Sequence, residues 1–208
     1  TADIEIHAQP DLEALLRPQI DYFCGEFPFQ VKFHPFSPYQ SAVIYEDRSV
    51  TVTTIPLKHR APSVGFLFEE KAMERHLVRS MVESYDIPLR LLKGIKNGDD
   101  YVTPDGELVP NERLTTPPTP PRRFAYCSDT AYSEKIVELI RGVDCLYHET
   151  TFLSEDMVRA KQTLHSTAAQ AAQIAQAAEV GKLIIGHYSA RYRQITPFLE
   201  EAKAIFPN

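Results

Sequence analysis

FAYCSDTAYSEKIVELIRGVDCLYHE, residues 124–149, reads as strand, polar turn, helix, glycine and strand again. One apolar run closes on Asp129, a helical pattern follows from Ser133 to Gly142, and a second run closes on His148 and Glu149. The same grammar continues downstream, where STAAQAAQIAQAAEVG (166–181) predicts a helix and KLIIGH (182–187) a strand that stops at a histidine. Hydroxyl caps open both helices, Ser133 for the first and Ser166 or Thr167 for the second, and Gly142 and Gly181 close them. Alternating strands and helices predict α/β architecture. In such sheets ligands gather beyond the carboxyl ends of the strands, where loops converge and helix N-termini aim N–H groups into one space.

Upstream of this block, TTPPTPPRR (115–123) forbids helix or central strand and reads as a stiff connector. The N-terminal half predicts strands at DIEIHA, VKFHPF and SVTVTTIPLKH, with GFLFEE (65–70) as partner of the last. A helix over DLEALLRPQIDYFCGEF takes Asp11 as its cap. Residues 71–114 differ: a short amphipathic helix over KAMERHLVRSMVESY, then turn signals at NG and PDG with little that resembles core. That segment reads as an inserted arm. Between Lys71 and Lys96 it carries six cations (Lys71, Arg75, Arg79, Arg90, Lys93, Lys96) against three acids, a basic island in a chain of net charge -6. Global charge therefore excludes coating of nucleic acid, while a local patch could still grip phosphates.

The 208 residues, 43% hydrophobic and 24% charged, suffice for one globular domain with a real core. No apolar run is long enough for a membrane helix and the first residues lack signal-peptide character, so a soluble, cytoplasmic protein is expected. Cys24, Cys127 and Cys145 sit in apolar runs without metal spacing, which predicts reduced core thiols.

Four strands end on residues that bind metals or move protons: His59, Asp129, the His148–Glu149 pair and His187; His165 stands just before a capped helix. Each alone has an ordinary explanation. His187 could be a hydrogen-bonded structural histidine, Asp129 a turn aspartate, Glu149 an arginine partner and His165 a residue leading into a helix. Their concentration at one sheet edge is what points to a site. Two imidazoles and a carboxylate from separate strands suit zinc or another borderline divalent ion, and a bridged pair would generate hydroxide and clamp a phosphodiester. His7, His34 and His76 read as structural.

YCSDT, YHETTF, LHST and GHYSARY, in this order, together with IPLKHRAPSVGFLFEE, resemble motifs of the ribonuclease Z family of tRNA 3′-processing endonucleases. The resemblance implies a metallo-β-lactamase fold, an αββα sandwich, and a zinc-dependent endoribonuclease that removes 3′ trailers from precursor tRNA. It implies that His59 and His187 each ligate one of two zinc ions, that Asp129 bridges them, and that His165 is catalytic with support from Glu149. Thr150 stands where the family usually has alanine, and His148 orders its loop. Ser189 and Arg191 are phosphate or structural neighbours. The arm at 71–114 falls where bacterial members grip tRNA, although the family's Gly-Pro element is replaced by DIPLRLLKGIKNG. A cytoplasmic homodimer, with no membrane contact, is also implied.

One family signature is missing: HxHxDH, which supplies most ligands of both metals, occurs nowhere in the sequence. The expectation is thus an incomplete domain spanning 1–208, a truncated family member without its N-terminal β-layer. With about two protein donors per metal instead of three or four, it should lose tight zinc binding and activity and expose apolar surface. The alternatives are another metallo-β-lactamase-fold hydrolase acting on small phosphodiesters or esters, and a non-catalytic tRNA-binding relative.

Overall fold

The computed structural model describes residues 3–24 and 27–208 and divides the chain into two compact units. The larger comprises Thr1–Glu69 and Arg122–Asn208, the smaller Glu70–Pro121.

The larger unit starts with β1 (Ile4–Ala8), α1 (Pro10–Phe23) and β2 (Val31–Pro35), and β1 pairs with β2 in parallel. Gln9, not Asp11, is the N-cap of α1, because Pro10 occupies the first helical position, where its missing N–H costs nothing. The expected C-terminal end of this helix reaches Gly25 and Glu26, which lie outside the described residues. Next come β3 (Val43–Glu46), β4 (Val50–Pro56) and β5 (Val64–Glu70).

In the smaller unit, β6 (His76–Leu77), α2 (Arg79–Ser84), α3 (Leu92–Lys96), β7 (Tyr101–Val102), β8 (Leu108–Val109), α4 (Asn111–Leu114) and β9 (Thr115–Thr116) follow in order. The helix expected from residue 71 begins only at Arg79. Long-range backbone bonds divert the chain before it: β6 pairs with β9, and the Arg75 N–H donates to the Lys96 carbonyl. This unit also has a core that the sequence did not suggest, made of Ile87, Ile95, Tyr101, Val109 and Leu114. Beneath it the Asn111 amide donates to the Ile95 and Asp99 carbonyls while its oxygen accepts from the Thr115 hydroxyl.

The chain then returns to the larger unit through β10 (Arg123–Cys127), β11 (Cys145–Glu149), α5 (Met157–Thr163), α6 (Ala168–Ala177), β12 (Leu183–Gly186) and α7 (Thr196–Lys203). One six-stranded sheet runs β12-β11-β10-β5-β4-β3, with β10, β11 and β12 parallel and β5 antiparallel to β10. The alternation of each strand sorts its side chains by face. Leu67, Ala125, Cys127 and Leu146 face a core completed by Ile174, Ala175 and Ala178 of the α6 segment and by Ile136, Val137, Ile140 and Val143. Alanines on α6 let it lie close to this layer.

Residues 133–142 are not a regular α-helix. Val137 and Leu139 bond three residues back, giving a 3-10 turn at Glu134–Ile136 and further turns to Gly142. Gly181 is not the stop of α6 either. Glu179 takes the left-handed position (φ 53), with the Glu179 N–H on Gln176 and the Val180 N–H on Ala175, a Schellman closure. Gly181 is needed for close packing, since a Cβ there would lie 2.8 Å from the Asp144 carbonyl oxygen. All three cysteines are free; burial pushes the Cys127 thiol up to about 12, whereas Cys24 is exposed beyond the end of α1 rather than in the core. Among the described residues no helix is long and apolar enough to cross a membrane.

Candidate metal and acid-base site

Parallel pairing places the ends of β10, β11 and β12 on one edge, and the loops leaving that edge carry the chemistry. The loop after β4 is tied to the loop after β10 by the Ala131 N–H on the Lys58 carbonyl (2.8 Å) and the Lys58 N–H on the Thr130 hydroxyl (3.2 Å). His59 is thereby held beside Asp129.

At three of these positions the backbone is left-handed: Asp129 (φ 54), Leu164 (φ 58) and His187 (φ 64). Such conformations cost free energy for residues with a Cβ and persist only where the surroundings enforce them. Here they turn Asp129 and His187 away from their strands toward each other, leaving Asp129 Oδ1 3.1 Å from His187 Nε2.

Glu149 is fully buried and accepts four hydrogen bonds: the Thr130 N–H (3.0 Å), the Thr151 N–H (3.0 Å), the Thr151 hydroxyl (2.7 Å) and His165 Nδ1 (2.6 Å). With its oxygens surrounded by donors it is satisfied as an anion. The tautomers follow. His165 carries its proton on Nδ1 toward Glu149, which leaves the Nε2 lone pair for chemistry. The Thr151 hydroxyl spends its proton on Glu149, so His187 Nδ1, 2.7 Å away, must be the donor to Thr151 Oγ1. His59 Nδ1 likewise donates to the Leu164 carbonyl at 2.9 Å.

These assignments bear on whether a metal fits. The Nε2 lone pair of His187 and a carboxylate oxygen cannot face each other at 3.1 Å without a positive centre between them, a proton or a metal ion. The donors form two overlapping groups that share His165: His59, Asp129 and His165, and Glu149, His165 and His187, each with ligand atoms within 4.8 Å of one another. Nitrogen and carboxylate donors suit a borderline divalent ion, and the Nδ1 bonds are the outer contacts that ligating histidines use.

The sequence-predicted residues His59, Asp129, Glu149, His165 and His187 thus converge. The ring centroids of His59 and His165 are 4.8 Å apart and those of His165 and His187 5.3 Å. A cavity of about 310 Å³ opens beside them, lined by His59, Arg60, Gln162, Thr163, Leu164 and His165. Ser189 and Arg191 make local contacts instead: the Ser189 N–H donates to the Thr151 carbonyl and the Arg191 guanidinium lies over the Phe152 ring. His148 lies within β11 rather than in a loop; it is wholly buried, its Nδ1 bonded to the Glu149 carbonyl oxygen, and burial pushes its imidazole toward the neutral form. Thr150 uses its hydroxyl on the Gly186 carbonyl, next to His187. Sequence reasoning passed over Thr151 and Arg60. The hydroxyl two residues after Glu149 was the available signal for the first, and adjacency to His59 for the second. The arm cations lie in the smaller unit, where Arg79 pairs with Glu83, Lys96 with Glu74, and Arg75 bonds Thr115.

A sheet backed by helices on one face, with histidines and carboxylates from successive strand ends converging at its edge, is the architecture of the metallo-β-lactamase superfamily, and that is the class of this protein. Residues 114–188 match the family model described as a beta-lactamase superfamily domain. Among solved structures, human tRNase Z, short form, superposes with a TM-score of 0.59 at 21% identity over 91% of this chain and 61% of its own. A long-form RNase Z from yeast gives 0.60 at 13% over 93% of this chain and 25% of its own. The ribonuclease Z of Bacteroides fragilis (strain YCH46) is 54% identical over all 208 residues, and that of Bacteroides thetaiotaomicron 55% identical over 207. This chain belongs to the ribonuclease Z family. It spans 68% of the first relative's length and 66% of the second's.

Proposed function

We propose that these residues carry the acid-base and part of the metal-binding machinery of an endoribonuclease that removes 3′ trailers from precursor tRNA in the cytoplasm, acting as a homodimer. The Glu149–His165 pair supports this most directly: a buried, fully satisfied carboxylate 2.6 Å from an imidazole that borders a cavity and belongs with His59 and Asp129 to a group of metal donors. His59 and His187 would hold zinc through Nε2, and Asp129 lies between them to share it. Zinc, when bound, supplies Lewis acidity that makes water nucleophilic near neutral pH and draws charge from the phosphate.

The chain's own groups do the rest. His165 holds and moves a proton at Nε2, and the Glu149 carboxylate fixes the ring's orientation and tautomer through Nδ1. Arg60, exposed at the cavity, is placed to meet a phosphate. Ser189 and Arg191 stabilise the loop that presents His187. In the smaller unit, Lys71, Arg75, Arg79, Arg90, Lys93 and Lys96 would contact the tRNA backbone, giving affinity without sequence readout. Arg90 and Lys93 suit this best, since neither has an ion pair among the described residues.

The test is His165→Ala in an enzyme of the curated relatives' length that contains this chain. Turnover on precursor tRNA should fall by about 10²–10⁴ with KM within a few fold, because proton transfer acts in the transition state. Unchanged turnover refutes the role. The 208 residues alone, with three-residue donor groups and no HxHxDH, should yield zinc to a chelator far more readily than that longer enzyme.

A further inference from the structure

We propose a second divalent-cation site on the β1–β2 pair, formed by Glu5, His7 and His34, selective for a borderline transition ion. It shares no residue with the site at the strand ends.

Parallel register sets Glu5 opposite Lys32 and His7 opposite His34, and the two-residue period of a strand puts all four on one face. The two imidazoles stack, centroids 4.7 Å apart and planes at 16°. The Glu5 carboxylate reaches over both: Oε2 is 3.9 Å from His7 Nε2 and 3.7 Å from His34 Nε2. Neither distance is a hydrogen bond. Yet one donor atom from each residue lies within 4.8 Å of the others. His7 Nε2 is sealed from solvent without a hydrogen-bond partner, a state that buried polar atoms rarely keep unless something else satisfies them.

A cation would satisfy it. Zinc bonds of about 2.0–2.2 Å place neighbouring ligand atoms roughly 3.3–3.6 Å apart in a tetrahedron, so the two Glu5–imidazole distances contract by a few tenths of an ångström while the His34 ring turns out of its stack on His7 to aim Nε2 at the shared ion. Glu5 and His34 are both about half exposed and can supply that movement. Behind them His7 is held by the edge of the Tyr45 ring, centroid 5.8 Å away. Lys32, the cation on the same face, is occupied by Asp3 at 2.7 Å. Two imidazoles and one carboxylate select zinc-like ions over magnesium or calcium, with solvent completing the coordination.

The experiment is a zinc chloride titration of the ¹⁵N-labelled chain, followed through the imidazole resonances, which separate this site from His59 and His187. His7 and His34 should shift together and saturate. Glu5→Gln and His34→Gln, both at half-exposed positions, should each weaken that event by more than about tenfold while the responses of His59 and His187 stay the same. Silence of His7 and His34 while zinc shifts other histidines overturns the proposal, as does an undiminished His7 response in either variant. Neither result bears on the role of His165.

Discussion

Thr151 is the residue on which the site's geometry turns. Its hydroxyl lies within hydrogen-bond distance of Glu149, His187 and His165, at 2.7, 2.7 and 3.2 Å, and so links the buried carboxylate to both imidazoles. Thr151→Val keeps the shape and deletes the hydroxyl. It should cost about 1–3 kcal/mol, chiefly because the fully buried Glu149 loses a donor, while the partly exposed His187 Nδ1 loses an acceptor that water can replace. Thr151→Ser should recover most of that loss; urea denaturation of the three proteins decides, and a valine variant as stable as the parent would show the hydroxyl to be idle. The residue types at strand ends made His59, Asp129, Glu149, His165 and His187 legible as a group. Thr151 was not legible, because a hydroxyl gains its role from what lies across space: His165 is 14 positions away and His187 36. The pairing of His7 with His34 escaped for the same reason, since only the strand register brings them together.

Among the elements, the strands after the proline connector were readable from their apolar runs, and the hydroxyl cap of α6 to within one residue; of Ser166 and Thr167 the cap is Thr167, in a capping box with Gln170. The failures came where long-range bonds override local preference: β6 in place of the first turns of a helix, and 3-10 turns at 134–136 where Ile136, Val137 and Ile140 are drawn into the core. The end of α6 shows a subtler case. Glycine was expected at the stop, yet Glu179 adopts the left-handed conformation and Gly181 serves packing. Glu179→Gly should therefore raise stability by about 0.5–1 kcal/mol, relieving the Cβ penalty at the position where the Schellman closure favours glycine. The ion pair lost with Arg141, 3.5 Å long and at the surface, contributes little, and Arg141 keeps Glu138. A thermal midpoint that does not rise would mean the backbone at Glu179 is unstrained.

For the larger unit as a whole, the decisive feature is the sheet face turned away from its helical core. Phe68, Tyr126 and Ile184 are 37%, 38% and 44% exposed there, and the aromatic rings continue across strands, Phe68 stacked on Phe124 and Tyr126 on Tyr147. An αββα sandwich covers such a face with a second sheet about 10 Å away, whereas among the described residues the larger unit has besides this sheet only the β1–β2 pair, which reaches it where Phe36, just after β2, meets Phe66. A contiguous apolar surface of this kind drives association. At micromolar concentration the 208-residue chain should therefore sediment as a concentration-dependent mixture and bind a hydrophobic dye. The double substitution Phe68→Thr and Tyr126→Thr should lower both signals while leaving the fold intact, because threonine keeps strand preference and the lost contacts are half-exposed stacks. A parent chain that sediments as one monomeric species at every concentration, with no dye bound, would mean that this face is already covered and that the sheet needs no second layer.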